Sequence, residues 1–161
     1  MAGSFSLSLE KFAVKTEKQA INSCQKIAME CWKRVIEKSP VGNPKNWSAE
    51  FKAVGIKLGW FDKNYKGGRF RANWGVSIGS PYTGTNEDID PTKTGTRGGK
   101  TSAKAVMDTT AWDAKKSIFL CNNLPYSLRL ENGYSRTQAP AGMVRISVVE
   151  MQNGAAEVAV R

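Results

Sequence analysis

The run Gly95-Thr96-Arg97-Gly98-Gly99-Lys100-Thr101 holds the residue types of a phosphate-binding loop. Glycines let backbone N–H groups close on an anion, and a lysine and a hydroxyl follow them. That motif needs four residues between its outer glycines, and here there are three. Position 94 is Thr94, and Asp90-Pro91-Thr92-Lys93 stands where an apolar strand should lead in. No nucleotide site is expected there, and the glycines read as a hinge. The chain has no histidine, which removes the commonest general base and the commonest zinc ligand. Cys24, Cys31 and Cys121 lack a close metal-binding spacing, and an odd count argues against a disulfide framework. Buried, unpaired thiols are expected of them. No catalytic residue, cofactor or metal is assigned, and the enzyme class becomes the minority reading.

Positive charge is the remaining chemistry. Lys and Arg number 24 against 14 Asp and Glu, a formal net charge of +10. Such a balance suits phosphate-bearing or acidic partners. Its sharpest focus is the run 67–79, where Phe70, Ala72, Trp74, Val76 and Ile78 alternate with Arg71, Asn73, Gly75 and Ser77. Period-two alternation predicts a strand over 69–79, with one buried face and one polar, cationic face. Arg69, Arg71 and Asn73 are therefore candidate interface or DNA-facing residues. Arg97, Lys100 and Lys104, further along, join them, as do Arg129 and Glu131. A solvated surface is the alternative for each.

The elements that must position these residues follow from periodicity. Val14, Ile21, Cys24, Ala28, Cys31 and Val35 recur at three-, four- and seven-residue steps, predicting one long helix over 7–38 that Ser39-Pro40 ends. Glu30 and Arg34 form a favourable i,i+4 pair. The off-stripe lysines read as a solvated face or a basic binding face. Residues 42–68 show no sustained period yet hold Trp47, Phe51, Trp60, Phe61 and Tyr65, which suggests an arm docking on the domain or on a neighbouring subunit. Residues 80–99 form a second irregular loop, acidic in its first half and basic in its second.

A helix is expected over 101–116 and a strand over 118–121. A short helix over 126–132 has Pro125 in its first turn and Gly133 as its cap. Val144, Ile146 and Val148 alternate and favour a strand, with a helix through Met151 as the alternative. The expected architecture is a single α+β domain over 1–161. In it a long N-terminal helix and a second helix pack on a small, mainly antiparallel sheet, with two long loops. No apolar run reaches the roughly 20 residues of a membrane span. Residues 1–10 lack the features of a signal peptide, so synthesis in the cytoplasm is expected.

Five stretches occur in order: Ser39-Pro40-Val41-Gly42-Asn43-Pro44 with Trp47; Gly67-Gly68-Arg69-Phe70-Arg71-Ala72-Asn73-Trp74; Asn122-Asn123-Leu124-Pro125-Tyr126; Leu130-Glu131-Asn132-Gly133-Tyr134-Ser135; and Gln138-Ala139-Pro140-Ala141-Gly142-Met143-Val144-Arg145. Together they resemble a family of tailed-bacteriophage virion proteins at the head–tail junction, called neck, tail-completion or minor tail protein Z-like proteins. The resemblance covers about 39–150. It implies a structural protein that joins or completes the tail as a homo-oligomeric ring, a hexamer being one option. Neighbouring tail-tube, tail-terminator or head-connector proteins would be partners, with non-specific contact with phage DNA and no membrane. The expected location is the virion, in tail or neck, after synthesis in the host cytoplasm. A small basic nucleic-acid-binding module is the competing reading, with Arg69, Arg71, Trp74 and the basic helix face on phosphate and bases.

Overall fold

A computed structural model describes residues 2–91 and 100–159. Helix α1 (Ala2–Lys38) is followed by a single 3-10 turn (Pro44–Asn46), α2 (Ala49–Lys57) and the one-turn helix α3 (Arg69–Ala72). Strand β1 (Gly75–Ile78), α4 (Lys100–Thr110), β2 (Ile118–Cys121), α5 (Ser127–Glu131) and α6 (Val144–Ala159) complete the chain. The strands pair antiparallel, with Gly75 opposite Cys121 and Ile78 opposite Ile118. The α+β class, the long first helix and the small antiparallel sheet are as expected. Helix α4 packs chiefly on α1 and also meets β1.

The core is small. Val35, Phe70, Leu124 and Met143 are buried together, with Trp74, Leu120 and Leu130 packed on them. Among the described side chains of α1, only those of its second half take part. Val35 and Ile36 are buried, whereas every residue from 10 to 20 is exposed. The Glu30–Arg34 pair forms at 3.0 Å, and Glu150 joins it by accepting from Arg34 and Lys38, tying α6 to α1.

The predicted strand over 69–79 is half helix. Phe70 and Trp74 are four apart as well as two-fold alternate, so one helical turn sets their rings edge to face at 5.9 Å, on the same core. Gly68 starts the turn at φ 92°, a conformation open to glycine, and an added Cβ would lie 2.3 Å from the Asp90 carbonyl. The strand begins only at Gly75.

The favoured strand over 143–151 is also overturned. Alternation there spans only three apolar residues, and no Gly or Pro interrupts the run until Gly154. The deciding contact is distant in sequence. The Glu131 carboxylate accepts from the backbone N–H groups of Met143, Val144 and Arg145, which starts a helix.

The segment 42–68 is not an extended arm. It folds on itself as a 3-10 turn and α2 around an aromatic cluster. Trp47 stacks on Tyr65 at 5.8 Å and meets Phe61 at 4.8 Å and Phe51 at 5.3 Å. Ser48 caps α2 by accepting from Phe51 N–H. Residues 80–91 have no regular structure, as expected, while the rest of that loop, 92–99, lies outside the described residues. Helix α4 ends at Thr110, short of the expected 116. The short helix forms as α5, and Gly133 follows it at φ 84°. All three cysteines are free, but Cys24 is exposed and the other two only half-buried. Burial raises the Cys31 thiol pKa, and Arg34 partly opposes that shift.

Candidate assembly surface

The structure separates the candidate residues. Arg71 and Asn73, expected on a polar surface, are 2% and 1% exposed. The Arg71 guanidinium lies under the end of α1, where its Nη2 donates to the Glu37 carbonyl at 2.7 Å and, at the limit of hydrogen bonding, to that of Ser39 at 3.5 Å. A cation at a helix C-terminus satisfies orphan carbonyls and complements the helix dipole. Burial lowers the Arg71 pKa, while the nearby charges of Asp90 and Glu37 oppose that. Asn73 ties the 80–91 segment inward by accepting from Asn86 N–H at 2.8 Å and donating to Arg69 and Asn86 carbonyls. Both residues are fold determinants, removed from any partner's reach.

Arg69 stays near the surface, with its side chain 20% exposed. It donates to Glu87 at 2.6 Å and to the Trp60 carbonyl at 3.0 Å, beside a groove lined by Ile56, Trp60, Phe61, Tyr65 and Ile89. Lys104 is exposed and pairs with Asp108 on its own helix. Lys100 opens α4, and Arg97 lies outside the described residues. Arg129 is exposed, its guanidinium 4.4 Å over the Tyr134 ring. Glu131 is the α6 cap, with all three of its backbone bonds between 2.9 and 3.0 Å. The candidates whose side chains are described, Arg69, Arg71, Asn73, Lys104, Arg129 and Glu131, form no single patch.

The ordered motifs that looked functional converge on this interior instead. Ser39 Oγ accepts from the Trp74 indole at 2.7 Å, Asn122 Nδ2 donates to the Phe70 carbonyl at 2.8 Å, and Gln138 Oε1 accepts from Val41 N–H at 2.8 Å. Gly142 sits at φ 82° against Glu131, where a Cβ would meet the carbonyl oxygen at 2.4 Å. Their shared task is to join the end of α1 to α3, β2 and α6.

Several apolar faces remain exposed outside this interior. On α2, Phe51, Val54 and Leu58 are 43%, 48% and 57% exposed, and Trp60 beside them 50%. Positions 51, 54 and 58 follow helical steps, so they form one face. On α6, Val144, Val148 and Val149 are 39–46% exposed, and near α5 Leu128 and Tyr134 exceed 65%. Phe12 and Val14 project from the free half of α1 at 66% and 65% exposure. Sequence reasoning missed the α2 face because it sits in a segment dense in glycine and aromatics, although the 51/54/58 spacing was visible. Among the described residues, no His/Cys/Asp/Glu group could hold a metal and no helix is long and apolar enough to cross a membrane.

Compared with protein-family models, with curated proteins and with solved structures, the chain gives no significant match.

Proposed function

We propose that the chain is a structural virion protein of a tailed phage that joins or completes the tail at the head–tail interface as a homo-oligomeric ring. The observation that carries this reading is the apolar surface left open around a small core. On α2 and α6, Phe51, Val54, Val144, Val148 and Val149 are 39–48% exposed, and on α1 Phe12 and Val14 exceed 60%. Exposed apolar faces on α1, α2 and α6 are what a subunit buries against neighbours. The five motifs of the resemblance support it as the internal frame of such a subunit. No catalytic role or cofactor is assigned.

Formal charge of +10 suits a ring that DNA passes through, since transit needs only weak, sequence-independent phosphate contacts. Neighbouring tail-tube, tail-terminator or connector proteins would take the remaining faces. The competing nucleic-acid module has lost Arg71, which is buried, and the Trp74 indole N–H, which is bonded to Ser39. Light scattering on the purified chain, alone and with isolated tails, tests the proposal. Oligomers or tail-bound protein are expected; a strict monomer that binds no tails would overturn it. Tight DNA binding by the free monomer, with a steep salt dependence, would favour the module instead.

A further inference from the structure

We propose that residues 10–21 of α1 form a self-association arm that packs in parallel against the same segment of a second copy. The segment has no support of its own. Residues 10–20 are all exposed, and beyond them α1 is tied to the body at Gln25, whose amide donates to the Thr110 and Trp112 carbonyls. Residues 10–20 alone span about 16 Å of helix.

Its apolar side is continuous with the core. Val14, Ile21, Ala28 and Val35 repeat every seven residues, and Val35, at the far end, is 1% exposed. The same seam that packs inside the domain thus continues outward to Val14, which is 65% exposed. Within the arm the seven-residue step is carried by Val14 and Ile21, which places both on one helix face.

Charge identifies the occupant and its direction. At about 100° per residue, Glu10 and Glu17 lie roughly 40–60° to one side of Val14, and Lys11 and Lys18 equally far to the other. All four are exposed. Antiparallel copies would set acid edge against acid edge and lysine edge against lysine edge. Parallel copies set the lysine edge of one beside the glutamate edge of the next, as flanking charges do in parallel coiled coils. Repeated around an axis, that pairing also suits a ring, and for closure into a ring it rests on the function proposed above.

Sedimentation of the full chain tests this with three variants. Wild type should sediment above monomer mass. Val14→Asp, the pair K11E/K18E and the pair E10K/E17K should each weaken self-association at least tenfold, with urea midpoints unchanged at dilutions where wild type is monomeric, because the arm lies outside the core. Mixing the two charge-reversed chains should restore assembly, since an all-acidic arm then meets an all-basic one. In an antiparallel pairing K11E/K18E would only exchange one like-charged edge for another, so no weakening would be seen. A monomeric wild type, or charge variants that assemble like wild type, overturns the arm. Variants that assemble normally leave the ring standing on other faces, whereas a chain that is monomeric and binds no tails removes both.

Discussion

Arg69 and Arg71 are two residues apart, and their chemistry is identical, yet their surroundings differ. Arg69 sits in a solvent-facing pair with Glu87, which is 83% exposed, so its removal forfeits little. Arg71 neutralises a buried helix end beside the buried Asp90, and its loss would strand carbonyls and a carboxylate away from water. Arg71→Met should lower unfolding free energy by about 3–5 kcal/mol and Arg69→Ala by no more than ~1 kcal/mol, read by urea denaturation. Equal effects would contradict the assignment of Arg71 to the fold. Glu131→Ala removes the acceptor of three backbone N–H groups and should cost about 1–2 kcal/mol. Faster hydrogen exchange of the Met143, Val144 and Arg145 amides would locate that loss at the start of α6.

Among the elements, those written in local pattern were legible and those fixed by distant contacts were not. The apolar stripe and Ser39-Pro40 stop specified α1, and Asn122-Asn123 after an apolar run specified β2. Helix α6 depends on a carboxylate 12–14 residues upstream, which no window of local periodicity contains. The turn at α3 depends on the positive φ of Gly68 and its fit against Asp90. The candidate site was less legible still, because alternation marks residue faces without telling a wet face from one covered by another helix. Arg71 and Asn73 were misplaced for that reason, whereas Arg69 stayed near the surface.

The α6–α1 junction also carries a pH dependence. Hydrogen bonds from Lys38 first, then Arg34, hold the Glu150 carboxyl below its ordinary 4.5. A depressed folded-state pKa contributes stability that is present above about pH 4.5 and lost as pH falls through the lower, folded value. With the Glu150 side chain 38% exposed, the contribution is at most ~1 kcal/mol. Glu150→Gln should lower Tm at neutral pH slightly and flatten its decline below about pH 4.5, as thermal melts would record. A decline as steep as that of wild type would show that other carboxylates dominate the acid limb.

At the scale of the whole molecule, the small core and the broad open surface are two sides of one economy of sequence. The residues most suggestive of a site are used to knit α1, α3, β2 and α6 together, and the faces left over are apolar helices with basic surroundings. On the proposed reading such a chain would gain order by association, and self-assembly within a virion is the central claim. Cryo-electron microscopy of a virion that encodes this chain tests it most directly. The account predicts a symmetric ring of copies between head and tail, with α1 arms running parallel to one another about the axis. Virions whose head–tail junction is fully traced without this chain would contradict it.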